Sequence, residues 1–341
     1  MLSDSLANWA PFRIDALGIV TLLGAAETDR SVGRLCSSWV TEFLPFLAAY
    51  TVANNQITGP LPGFLLYNIT DGIMATDLAG WFCRWLLCQD LKYSTTTITI
   101  TSVKPRRRSF GWYISALLGL LLHSALIAMP FVIGDWWGTA NSISIFMSVF
   151  VRYVVLEINR SALDDAAAKS ESTPDEPDEP VKVFLTLPTG SAITISTTKG
   201  VVVDCLLTTP RPASKEVYTC MRALGWLSFG VHVIALGMCS LFCQLITVCV
   251  IVFSTILVVH QVGADEHFVG SRLQLEFRHS NDIDSRSTAY AELELTEKEI
   301  ASMLQWNMFP HTSNTRWWKN YNKRLEGISK NRQQTRDTQP A

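Results

Sequence analysis

The sequence lacks any Asp, Glu, Lys or Arg between Ala223 and Gln261, where the only ionisable side chains besides cysteine are His232 and His260. That absence excludes an ordinary soluble helix, whose outer face needs charge. As one helix the stretch would be about 60 Å long, roughly twice the ~30 Å hydrocarbon layer of a bilayer. It is therefore read as two crossings joined by a tight turn near Cys239 to Gln244. Other absences narrow the function. The sequence has no phosphate-cradling glycine loop, no GxSxG, no HExxH and no spaced Cys/His quartet, so no soluble catalytic set is expected. None of the eight cysteines forms a CxxC pair, and those in the apolar block read as small apolar fillers. The N-terminus has neither a basic n-region nor a clean apolar h-region, so no cleaved signal peptide is expected.

A second apolar block lies upstream. Ser109 to Ile133 carries no charge and fits one crossing; Gly134-Asp135 breaks it, and Trp136 to Glu157 is apolar apart from Arg152, whose long side chain can reach the interface. The count is four spans in two hairpins, 109–158 and 222–262. The basic residues set the orientation, because short loops rich in Lys and Arg stay cytosolic. Lys104, Arg106, Arg107 and Arg108 precede the first span, seven Lys and Arg residues lie between Arg160 and Arg222, and Arg272 and Arg278 follow the last. The turns between paired spans carry none. Both termini are thus expected in the cytosol, in a plasma or internal membrane.

The remaining segments are polar enough to lie outside the bilayer, since only 48% of residues are hydrophobic. Residues 1–103 contain no convincing span and are expected to lie on the membrane or dock on the bundle. Met74, Leu78, Phe82 and Trp85 recur there at helical spacing, opposite Asp77 and Arg84. The sequon Asn68-Ile69-Thr70 would matter only in a lumenal segment, and the basic run at 104–108 argues against that. Ser94 to Val103 alternates β-branched residues and reads as a strand. Residues 159–180 are read as a disordered linker, acidic and proline-rich from Asp164. In 181–215, Val181, Val183, Leu185 and Leu187 alternate with polar or outward positions, then Pro188-Thr189-Gly190 and Ala192 to Thr198 complete a β-hairpin, with a third apolar run at Val201 to Leu207. In 270–310, strands are expected over 272–278 and 291–295, and Thr296 with Glu299 makes a capping box for a helix starting at Glu297. The expected fold class is an α-helical polytopic membrane protein with a small cytosolic α+β unit built from the central loop and the C-terminal tail.

Three segments carry a likeness: GWYISALLGLLLHSALIAMPFVIGDWWG from Gly111, VKVFLTLPTGSAITISTTKGVVVDCLLTTPRP from Val181, and GWLSFGVHVIALGM from Gly225. They resemble a family of uncharacterised multi-pass membrane proteins of filamentous fungi, from roughly Gly111 to the tail and weakly before it. The resemblance implies a fungal source and a multi-pass topology, and brings no catalytic residue.

Candidate site residues are few. His123 and His232 lie near the middle of the first and third spans, where an ionisable group is costly and faces the bundle interior. The leading reading is a neutral histidine bonded to a neighbouring helix; a proton or ion relay and paired haem ligation are the alternatives. No cofactor and no metal site are expected. Small residues at Gly111, Ser115, Gly119, and again at Gly134, Gly138, Ser142, permit close helix contact. Packing within one chain is the expected use and a homodimer the alternative. Residues 316–336 hold seven basic residues against one acid, with Trp317, Tyr321, Leu325 and Ile328 on one helical face. Trp317, Trp318, Lys319, Lys323 and Arg324 are the candidates for anionic lipid headgroups, and packing of Trp317 and Tyr321 on the sheet is the competing account. The bilayer is the expected partner and nucleic acid is not. The sequence favours a non-enzymatic membrane scaffold or regulator, with a small histidine-based transporter or channel as the alternative.

Overall fold

The computed structural model describes residues 25–46, 49–89, 91, 96–171, 179–278 and 290–337. It joins a bundle of four long apolar helices to a seven-stranded mixed sheet. The elements in chain order are α1 (Ala25–Gly33), α2 (Ala49–Ala53), β1 (Leu65–Asn68), β2 (Ile73–Ala75), α3 (Gly80–Cys88), β3 (Thr96–Ser102), α4 (Phe110–Ile133), α5 (Trp136–Glu171), β4 (Pro180–Thr186), β5 (Ala192–Thr198), α6 (Lys215–Met238), α7 (Leu241–Val259), β6 (Phe268–Val269), β7 (Leu273–Arg278), α8 (Glu297–Gln305) and α9 (Thr315–Asp337).

Helices α4, α5, α6 and α7 are each long and apolar enough to cross a membrane. Their outward faces carry large apolar side chains such as Leu117, Leu121, Phe131, Ile143, Leu227, Ile234 and Phe253, all exposed. A belt of that size on a protein in water would be a liability. The first turn is closed by Gly134, whose φ of +82° lets the chain reverse. Asp135 then caps α5, its Oδ1 accepting from the Gly138 amide at 2.8 Å. The second turn, at Cys239-Ser240, is equally short, and the Ser240 hydroxyl caps α7. Polar side chains join the helices inside: Asn141 Nδ2 donates to Thr247 Oγ1 at 3.0 Å and Ser228 Oγ to the Ser144 carbonyl at 2.7 Å.

The sheet runs β2-β1-β4-β5-β3-β7-β6, antiparallel except between β3 and β5. The β4–β5 hairpin forms as its alternation requires, with Val183 opposite Ile195 and Leu185 opposite Ile193. Val181, Val183, Leu185, Ile193, Ile195, Ile98, Ile100 and Leu275 share one face, which packs on α3, α5 and the helical segment Val202–Leu207. The opposite face carries Tyr67 and Phe184 under α8 and α9.

Several expectations are corrected by this fold. The described part of residues 1–103 does more than dock: Leu78 and, from α3, Phe82 and Trp85 are buried in the main core, and β1, β2 and β3 belong to the sheet. Met74 leaves the stripe, because Ile73–Ala75 is an edge strand on which it stays exposed. Arg84, expected on an outer face, is buried; it pairs with Asp29 at 2.9 Å and donates to the carbonyls of Gln56, Gly59 and Gly80. The stretch from 159 to 171 is no linker but the end of α5, since Leu163 and Ala167 continue an apolar stripe into the core; 172–178 lie outside the described residues. The run Val201 to Leu207 is helical, and residues 290–292 are helical where a strand was expected, Tyr290, Ala291 and Leu293 being drawn into the aromatic cluster under α9. The capping box at Thr296 and Glu299 is present as read.

Candidate functional site: a re-entrant segment and its charged junction

Residues 37–46 form no helix yet penetrate the bundle. Their entry is tied to the loop after α7: the Trp39 amide donates to the Gly263 carbonyl at 3.1 Å, the Asp265 amide to the Ser37 carbonyl at 2.9 Å, and Ser38 Oγ to the Val262 carbonyl at 3.0 Å. From there the segment follows α4 inward. Trp39 covers Gly111, and Phe43 sits on Gly119 so closely that any side chain there would collide with it. The Phe43 carbonyl lies 3.2 Å from His123 Nε2, which must donate and therefore carries the proton. His123 is thirteen residues into α4, so Phe43 reaches roughly 20 Å beyond the helix start. Irregular backbone at such depth is tolerated only where protein surrounds it. Here α4 and α5 do so, with Phe43 against Trp112 at 5.5 Å and Tyr153 at 5.3 Å between ring centroids.

The segment carries one carboxylate, Glu42, into a nest of guanidiniums. Arg160 donates from Nη1 to Glu42 Oε1 at 2.6 Å and from Nη2 to Oε2 at 3.3 Å, while its Nε and Nη2 also hold the carbonyls of Leu35 at 3.1 Å and Cys36 at 2.8 Å. Arg152 donates from Nη2 to the Glu42 carbonyl at 2.5 Å and lies 3.9 Å over the Phe46 ring. Arg34, from the turn after α1, donates to Gln261 Oε1 and approaches Glu266 at 3.9 Å. A cavity of about 40 Å³ separates Arg34, Arg152 and Arg160. Burial of such a group is costly in itself, and loss of one partner costs about 3–5 kcal/mol because the rest is left uncompensated. The junction therefore fixes how segment, bundle and following loop fit together.

The sequence-selected residues are dispersed. His123 serves the Phe43 carbonyl and meets the Phe146 ring at 5.5 Å; its Nδ1 is buried without a partner. His232 is buried on α6, and its Nδ1 also lacks a partner. The two make no hydrogen bond or ring contact with one another. Among the described residues no three His, Cys, Asp or Glu side chains converge as a metal-ligand set. The aromatic half of the lipid-binding assignment is corrected: Trp317 stacks on Tyr321 at 5.3 Å, both meet Phe309, and Trp318 packs there too. Tyr321 is only 1% exposed. Lys319, Lys323 and Arg324 remain at the surface. Gly111 and Gly119 are covered by Trp39 and Phe43 of the same chain.

Sequence reasoning missed Glu42 and its tie to Arg152 and Arg160. The available signal was a single acid in the apolar run from Trp39 to Ala49, matched by a lone Arg in a span. Compared with protein-family models, curated proteins and solved structures, the chain matches none, so the site is read from its own geometry.

Proposed function

We propose that this is a four-span membrane protein acting as a non-enzymatic scaffold or regulator, with the sheet and both termini on the cytosolic side. The observation that carries this reading is one unbroken apolar core, running from Val151 and Val155 of α5 through Leu163 to Ile98, Val183, Ile195 and Leu275 of the sheet. A module joined to the bundle in this way moves with it as one body, which suits presentation of a cytosolic surface at a fixed height above a bilayer. The basic run Lys104 to Arg108, with Lys319, Lys323 and Arg324, would favour an anionic leaflet by about 1 kcal/mol for each cation close to it. Kinship with the fungal multi-pass family belongs to this proposal. A monomeric bundle does as well, supported by the filling of Gly111 and Gly119 from within the chain.

Proximity labelling from the C-terminus in the native cell, with liposome flux measured in parallel, tests the proposal. The expected result is a stable set of cytosolic neighbours and no flux. A second reading, a small transporter or channel, draws on the re-entrant segment and on the buried, unpartnered Nδ1 atoms of His123 and His232. A proton or solute flux that is lost in well-folded His232→Asn protein would replace the first reading with the second.

A further inference from the structure

A cleft of about 730 Å³ opens between the side of α5, the first turns of α6, the turn around Asn55 and the loop 207–212. Its size is that of a small-molecule site. The floor is polar. Tyr218 OH donates to Asn55 Oδ1 at 2.5 Å and faces Asn159 Nδ2 at 3.4 Å, while the same Asn159 amide is held by the Val155 carbonyl at 2.8 Å. With its oxygen engaged by Tyr218, the Asn55 side chain has only one orientation left, and its Nδ2 donors have no protein acceptor among the described residues.

The rim is cationic. Arg211 and Lys215 line the cleft and are exposed, and neither has a carboxylate within ion-pair distance among the described residues. No Asp or Glu is among the lining residues. Lys215 also opens α6, whose Ser214 hydroxyl caps the Val217 amide and leaves the first amides of a long helix pointing outward. Pro210 and Pro212 hold the loop that carries Arg211, so the cation is presented at little conformational cost. Two exposed cations, free amide donors and a lining without Asp or Glu describe a receptor for a multiply charged oxyanion, Glu216 of the same helix turn lying outside that lining.

We propose that this cleft binds a phosphate-bearing ligand, with Arg211 and Lys215 neutralising the phosphate and the Asn55 amide donating to it. Tyr218 is a positioning residue that fixes the amide. The phosphate belongs either to a lipid headgroup or to a soluble phosphoester, and the chemistry is shared. The inference stands on the cleft alone and holds whether the bundle is a scaffold or a transporter.

The full-length protein in phosphatidylcholine nanodiscs provides the test, with inorganic phosphate as one probe and phosphatidic acid added to the disc as the other. Binding of at least one is expected. The Arg211→Ala/Lys215→Ala double variant should weaken it by at least about tenfold and flatten its salt dependence, while Arg211→Lys/Lys215→Arg restores it. Both residues are exposed, and an unchanged melting temperature verifies the fold. Tyr218→Phe should weaken binding without altering the salt dependence. Displacement of phosphatidic acid by inorganic phosphate assigns a soluble source; retention of the lipid against phosphate assigns the headgroup. Binding unchanged in the double variant, or binding of neither probe, overturns the proposal.

Discussion

Asp135, in the turn between α4 and α5, accepts a hydrogen bond at 2.8 Å from the backbone amide of Ser240, in the turn between α6 and α7. One carboxylate thus caps its own helix and ties the tips of two hairpins that are remote in sequence. Both tips must lie at the same end of the bundle.

The topology prediction follows from that link together with the basic residues at the other end. In a background without the exposed Cys220 and Cys249, Trp136→Cys should react with an impermeant thiol reagent from the exterior or lumen, and Glu179→Cys only from the cytosol. Labelling of both from one side would end the four-span arrangement.

Outside the bundle, the buried Arg84 makes four hydrogen bonds. Its removal in Arg84→Ala leaves Asp29 unpaired and three carbonyls without donors, and should cost about 3–5 kcal/mol. Arg84→Lys should recover little, because one ammonium cannot span all four acceptors. Denaturant unfolding in detergent followed at the core tryptophans Trp81 and Trp85 provides the measurement.

Glu299 sets an acid dependence. Burial pushes its carboxyl up, but the Thr296 amide at 2.7 Å and the Lys182 ammonium at 3.1 Å outweigh this and hold it below its ordinary value. A carboxylate lowered in the folded state contributes stability above its unfolded value, about 4.3, and loses it as pH falls through the folded value. Melting temperatures from pH 7 down to pH 3 should therefore drop below about pH 4.3. Glu299→Gln should melt lower at pH 7 and show a shallower acid limb; an unchanged limb would rule out this source.

In the tail, the aromatics and the cations should separate. Tyr321→Ala removes a buried ring that meets Phe309, Trp317 and Trp318, and should cost about 3–5 kcal/mol. A Lys319→Ala/Lys323→Ala variant should leave the melting temperature unchanged and reduce flotation with anionic vesicles.

The four apolar helices, the β4–β5 hairpin and the cap at Thr296 were legible because each is a local signal: an uncharged run, an alternation, a box of two residues. The strand at β3 was legible as a strand but not as the piece that separates β5 from β7, since register across the sheet depends on partners far away in the chain. The length of α5 was hidden by the acids after Asp164. Asp164 is itself a fastening point, taking the amides of Ser271 and Arg272 at 2.8 and 3.0 Å. Nor could spacing reveal the re-entrant segment, whose depth depends on two glycines of α4 that make room for Trp39 and Phe43. Of the candidate site, the histidines were found but their environments were not, and Glu42 acquired meaning only when Arg160 was seen around it.

The position of β3 has a consequence for biosynthesis. This strand is translated before any of the four apolar helices, its parallel neighbour β5 between the second and third, and its antiparallel neighbour β7 only after the fourth. At the ribosome β3 must therefore wait with both edges bare until β5 has been made, and with one edge bare until the last helix has followed. A chain stalled or cut before Leu273 keeps one edge open, a ready target for quality-control factors that recognise unpaired strands.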